Sequence, residues 1–153
     1  MNPGLVVLVV AVIAATAFAL WRQRTDGRLR RVEPASRAVI GTTADSKPGF
    51  PASELGVTLG ERATLVQFST AFCQPCRATR RVLGEVAEMV DGVVAAEVDA
   101  EAHLDVVRQL NVMRTPTVFV LDASGSVVQR ATGQPRKAEV IAAIGALAPS
   151  GGS

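Results

Sequence analysis

The chain has no tyrosine, a single histidine and only two cysteines in 153 residues. Two cysteines exclude a scaffold stapled by several disulfides, and they exclude zinc or iron–sulfur sites built on four thiolates. One histidine, His103, excludes most histidine-based metal centres. Aromatic residues make up 4% and charged residues 20%, against 48% hydrophobic, which is more apolar than an ordinary soluble domain. Charge is absent from Gly4 to Trp21, and the apolar excess is concentrated there. A large charge imbalance is missing too: the formal net charge is +2. That small value hides a split. Arg22, Arg24, Arg28, Arg30, Arg31 and Arg37 stand against Asp26 and Glu33, so a short collar carries +4 and the rest of the chain −2. The basic character belongs to the collar and not to a basic domain, so nucleic acid is not an expected partner.

Residues 4–21, GLVVLVVAVIAATAFALW, span about 27 Å as a helix, the thickness of a hydrocarbon core. Trp21 lies where an interfacial aromatic is favoured, and the arginines follow at once. A cleaved signal peptide needs a positive start, which Met1 to Gly4 lacks, although Ala15-Thr16-Ala17 resembles a weak cleavage site. A buried core helix has no second apolar segment to pair with. The segment is therefore expected to be a single-pass membrane anchor. By the positive-inside rule the collar puts the N-terminus outside and the remaining residues in the cytoplasm, with an extracytoplasmic domain as the alternative. Residues 22–51, with Pro34, Pro48, Pro51, Gly41 and Gly49 and no hydrophobic periodicity, read as a basic juxtamembrane tether. Residues 149–153 (PSGGS) read as a flexible tail.

Residues 52–148 are patterned as an α/β domain. Ala63 to Thr70 (ATLVQFST) reads as a buried strand, and a helix follows with Val82, Leu83, Val86, Ala87 and Val90 on one face and Asp91-Gly92 as its stop. Val93 to Asp99 is a second strand. Glu101 to Leu110 is a short helix with Leu104, Val107 and Leu110 inward. Thr117 to Leu121 and Val127 to Thr132 form a hairpin around Asp122–Ser126, and Pro135 to Leu147 is a helix burying Val140, Ile141, Ile144 and Leu147. A shorter strand near Leu55–Leu59 is expected ahead of these. His103 is expected to face solvent, and Met89 and Met113 to pack internally. The order β-α-β-α-β-β-α implies a mixed sheet with helices on both faces.

Cys73-Gln74-Pro75-Cys76 falls where a strand ends and a helix begins. Amides of a first helical turn and the positive end of the helix dipole favour a thiolate at Cys73, and Arg77 adds positive charge nearby. Pro75 loses little at such a position, since its missing N–H would have no intrahelical partner. A spacing of three places Cys76 beside Cys73, so a disulfide can close without unwinding the helix. Redox chemistry is the favoured reading. Half of a zinc site, two inert cysteines or a static staple remain as alternatives, although a four-residue loop adds little chain-entropy stabilisation.

The strand–FCQPC–helix element, with Thr115-Pro116-Thr117 before TVFVL, resembles the thioredoxin family over roughly residues 52–148. The resemblance implies a thioredoxin-like fold and a thiol–disulfide oxidoreductase whose redox-active disulfide, Cys73–Cys76, replaces any cofactor. It places Cys73 as nucleophile and Cys76 as resolving thiol. It also implies a cis-proline loop at Thr115 and Pro116 which, with Phe72, Gln74, Pro75 and Gly133, borders the substrate groove. Four positions depart from the family pattern. Gln67 stands where a buried aspartate assists the resolving thiol, and an amide cannot act as a base near neutral pH. Ala95 or a neighbour replaces that aspartate's lysine partner. Phe72 replaces tryptophan, and Gln74-Pro75 replaces Gly-Pro. The expected function is a membrane-tethered reductase of disulfides in partner proteins, recharged by a thiol or reductase donor. The alternatives are an extracytoplasmic oxidase or cytochrome-maturation-type reductant, and a redox-inert binding module.

Overall fold

The computed structural model describes residues 3–25, 27–32 and 49–147. Helix α1 spans Pro3–Thr25. Its first twenty residues, Pro3–Arg22, are long and apolar enough to cross a membrane, and none of that surface is buried against the rest of the chain. A two-residue strand β1 (Arg30–Arg31) follows. The remaining elements are β2 (Ala63–Ser69), α2 (Gln74–Met89), β3 (Val93–Asp99), α3 (Leu104–Gln109), β4 (Thr117–Asp122), β5 (Val127–Thr132) and α4 (Lys137–Gly145). The sheet order is β1-β5-β4-β2-β3. β2 pairs parallel with β3 and antiparallel with β4, and β5 is antiparallel to both β4 and β1. Among the described residues β3 pairs on one side only, so it forms an edge. The sheet is mixed, with helices on both faces.

Every residue of β2 is buried, as befits a strand covered on both faces. Its alternation divides the core in two. Ala63 and Leu65 pack with Leu83 and Val86 of α2 and Val140, Ala143 and Ile144 of α4. Val66 and Phe68 pack on the other face with Phe119, Val106 of α3, Leu110 and Phe50. There Phe50, Phe68 and Phe119 form a triad with ring centroids 5.7–6.2 Å apart and tilted or edge-on contacts. Arg130 of β5 lies with its guanidinium 5.1 Å from the Phe119 ring centroid. It donates to the carbonyls of Leu110 and Asn111, at 2.9 and 2.6 Å, which caps the C-terminal end of α3 with positive charge. Burial pushes its pKa below the usual arginine value.

Several expectations need correction. No strand forms over Leu55–Leu59; residues 52–56 are a turn closed by Leu55 N–H to Pro51 O (3.2 Å) and Val57 N–H to Ala52 O (2.8 Å). Leu55 and Val57 still pack on the Phe50 core, so their apolar signal reflects burial and not pairing. Helix α3 starts at Leu104, later than expected, because the Asp99 carboxylate accepts the Glu101 N–H (2.9 Å) and shapes a turn first. Val107 packs on the core and Leu110 is buried as expected, but Val106 is the buried residue within the helix and Leu104 is exposed. Ala143 takes the inward place expected of Ile141, which is partly exposed. Met89 and Met113 are exposed, not packed. His103 is half-buried, with Nδ1 3.1 Å from the Asp99 carbonyl.

The stretch 22–51, expected as a tether, is structured towards both ends. α1 runs on to Thr25, β1 pairs Arg30 with Arg130 and Arg31 with Gln129, and Leu29 and Val32 pack on the two cores. Phe50 is buried. Residues 33–48 and the expected tail lie outside the described residues. The core thus begins before the apolar periodicity does. Phe50→Ala is expected to lower the unfolding free energy by about 3 kcal/mol or more in urea denaturation of the detergent-solubilised chain, as for other buried aromatic truncations. Met89→Ala on the exposed end of α2 is expected to change it by less than about 0.5 kcal/mol.

Candidate active site

β2 delivers the chain to Ser69, and a tight turn follows in which the Cys73 N–H donates to Thr70 O at 3.3 Å. Cys73 is the N-cap of α2, in extended conformation (φ −82°, ψ 99°), with Pro75 in the first turn. Its Sγ accepts the Cys76 N–H at 3.2 Å. That amide is one of the donors a helix start leaves without an intrahelical partner, and in the reduced protein it stabilises negative charge on the Cys73 sulfur. Cys73 and Cys76 are disulfide-bonded, with Cα atoms 5.3 Å apart. Cys73 is half-buried and Cys76 almost fully buried, so a partner meets Cys73 first. Phe72 beside it is 97% exposed. Gln74 and Pro75 are also exposed, at the first turn of α2.

The Thr115–Pro116 peptide bond is cis. Its loop lies at the same end of the sheet as Cys73, because Phe68 of β2 is paired with Thr117 of β4. The Thr70 and Thr115 hydroxyls stand 3.3 Å apart and join the two loops directly. Thr117 Oγ1 donates to Arg114 O at 2.7 Å and steadies the turn from within. Gly133, at φ +97° where a side chain is disfavoured, donates its N–H to Pro116 O at 2.7 Å. The residues taken from the resemblance therefore gather as two linked groups: Phe72, Cys73 and Cys76 on one side, Thr115, Pro116 and Gly133 on the other. Thr70 was not expected at the site. Its partner is 45 residues away, and nothing local in ATLVQFST marks it.

Gln67 is 1% exposed beneath the motif, and its Nε2 donates to the Cys76 carbonyl at 2.9 Å. Its Oε1 is buried with no hydrogen-bond partner among the described residues. The amide thus holds the backbone of the buried cysteine but offers no proton acceptor of carboxylate strength. Ala95, named as a replacement for the lysine, is exposed on β3, and Glu97, paired with Gln67 across the strands, bonds Arg80 of α2. Among the described residues no group of three or more His, Cys, Asp or Glu side chains is placed to hold a metal.

A family model described as Thioredoxin matches residues 54–146. The chain belongs to the thioredoxin family. A thioredoxin of Alicyclobacillus acidocaldarius is 32% identical over 79 residues, covering 51% of this chain and 75% of that protein. A thioredoxin of Mycobacterium tuberculosis is 27% identical over 95 residues, covering 61% of this chain and 81% of that one. Among solved structures, spinach chloroplast thioredoxin f has a TM-score of 0.50 at 25% identity, covering 57% of this chain and 77% of its own. A mutant thioredoxin of Halobacterium salinarum shares the fold at TM-score 0.52 and 21% identity, covering 58% and 80%. With its vicinal cysteine pair, this thioredoxin-family chain is a thiol–disulfide oxidoreductase.

Replacing Gln67 by Glu tests the buried environment. Desolvation raises the pKa of the introduced carboxyl above its unfolded value. The folded state then holds more protons than the unfolded state, so stability is retained at low pH and falls as pH rises past the unfolded value. Thermal denaturation between pH 4 and 8 is expected to show that decline in Gln67→Glu relative to the natural chain. Gln67→Leu is expected to lower stability by about 1 kcal/mol, since it removes the side-chain donation to the Cys76 carbonyl.

Proposed function

We propose that this thioredoxin-family protein is a membrane-tethered reductase of protein disulfides, anchored by residues 4–21, with its catalytic domain on the cytoplasmic side. The observation that carries the reading is the pairing of an exposed redox cap with an apolar helix: Cys73 sits half-exposed at the start of α2, and Pro3–Arg22 is long enough to span a bilayer. The arginine collar supports the cytoplasmic orientation.

The geometry supports the following reaction. The Cys73 thiolate attacks one sulfur of a substrate disulfide, forms a mixed disulfide and expels the first substrate thiolate. Cys76 loses its proton and attacks the Cys73 sulfur, releasing the second thiolate and closing Cys73–Cys76. Two electrons and two protons pass to the substrate, and a thiol donor restores the dithiol. Phe72 gives the substrate a flat apolar contact, while Thr115, Pro116 and Gly133 line the backbone groove beside the sulfur. Gln74 and Pro75 form the outer wall at the first turn of α2. With Gln67 beneath Cys76, no buried carboxylate among the described residues takes the resolving proton, which makes the second step dependent on bulk base.

Turnover of a disulfide reporter by the full chain in detergent tests the chemistry. Cys73→Ser is expected to abolish it. Cys76→Ser is expected to accumulate a mixed disulfide, visible as a shifted band on a non-reducing gel, and to lose more than about 100-fold in turnover. Unchanged partner binding with no turnover in the natural chain would leave only a redox-inert binding module. Equilibration with thiol buffers then fixes direction: a potential near about −270 mV supports a reductase, whereas one near about −120 mV marks an oxidant and favours the extracytoplasmic alternative.

A further inference from the structure

The chain enters the domain at the same end of the sheet that carries the disulfide. The Gly27 N–H donates to Thr132 O at 2.8 Å. Thr132 is paired with Thr117, and Thr117 with Phe68 in the strand that leads to Cys73. The neighbouring Gly133 N–H is bonded to Pro116 O. The entry is close-packed: a Cβ at Gly27 would lie 1.9 Å from the Gln134 carbonyl oxygen, and its φ is +83°. From there β1 runs away from the disulfide end, pairing Arg30 with Arg130 and then Arg31 with Gln129.

Helix α1 ends at Thr25, so at most two Cα–Cα steps of about 3.8 Å separate it from Gly27. From Arg22, where the apolar span ends, three helical residues add about 4.5 Å. Gly27 therefore lies within about 12 Å of the end of the span, whatever path the chain takes. Strand spacings of about 4.8 Å put the end of β2 about 14 Å from β1 across the sheet. A long tether would let any face of the domain lie nearest the bilayer; this one keeps the entry end, at Gly27, close to the span.

We propose that the disulfide end of the domain faces the bilayer and that its substrates are cystines of membrane-bound proteins lying close to the bilayer surface. This rests on the tethered reading above and adds to it a substrate class. The exposed surface at that end suits such a partner. Phe72 is 97% and Met113 81% exposed there, offering apolar contact to a chain emerging from the membrane. Arg28 is exposed beside the entry at Gly27, as anionic headgroups favour, with Arg30 and Arg31 exposed further along β1; the acidic Asp99, paired with Ser69, and Glu101 are at the same end but across the sheet, beyond β2. The two electrons come from the protein's own Cys73/Cys76 dithiol, and the step balances as written for the reductase.

The test uses the full chain at about one copy per vesicle of phosphatidylcholine and phosphatidylglycerol, first checked by flotation, then reduced and freed of excess thiol. Two lipid-linked reporters carry the same self-quenched dye pair across a disulfide. One holds it on a short spacer, and the other on a polyproline rod of about 25 residues, about 80 Å long. The near reporter is expected to brighten at least tenfold faster than the far one. Inserting thirty Gly/Ser residues between Asp26 and Gly27, which leaves β1 in place, is expected to bring the two rates within twofold. Cys73→Ser is expected to be silent with both. Equal rates in a natural chain that floats with the vesicles overturn the facing arrangement and leave the tethered reductase standing. A chain that does not float overturns both.

Discussion

The redox site depends on the antiparallel pairing of β2 with β4. That register sets Phe68 opposite Thr117, and from it the Cys73 turn and the Pro116 loop leave the sheet side by side. A slip of one residue would turn every β2 side chain to the other face. Phe68 would leave the aromatic triad and Gln67 would leave the Cys76 carbonyl. The pairing is protected because both strands are buried along nearly their whole length, so the same apolar burial that stabilises the core also fixes the geometry of the site. The Thr70–Thr115 contact then trims the distance between two loops that the sheet has already brought together.

Gln67 shows how a site is tuned beneath its surface. An amide in that buried position keeps the hydrogen bond to Cys76 and gives up proton transfer. The Cys73 sulfur is untouched by this choice, since it accepts the Cys76 N–H at the start of α2. The two cysteines thus have separate local surroundings: Cys73 the helix start, Cys76 the amide that lies beneath it.

Much of this was legible in the sequence. The strands Val93–Asp99 and Val127–Thr132 run as their apolar patterns indicate, because Gly92, Gly125 and Gly133 punctuate them. The motif Cys73–Cys76 could be placed on a strand-to-helix junction from its neighbours alone. What could not be read depends on contacts distant in sequence. β1 is two arginines, with no periodicity to announce a strand, and forms only because β5 presents a free edge. Phe50 stands between Gly49 and Pro51 with no strand or helix pattern around it, yet it completes the triad with Phe68 and Phe119. Leu104 opens α3 just after the Asp99 turn and is exposed, while Val106, Val107 and Leu110 face the core. Met89 and Met113 carry an apolar character that says nothing of which side they face.

The edge strand β3 bears on how crowded copies of this chain coexist. Its backbone pairs on one side only among the described residues, and seven residues of open strand are a ready template for another strand. The side chains along it answer that risk. Glu97 and Asp99 are exposed, with Glu97 bonded to Arg80. Two such edges meeting antiparallel would bring carboxylates against carboxylates and break both ion pairs. Copies that collide edge to edge at high concentration therefore meet a like-charged rim, which keeps those collisions from becoming fibrils.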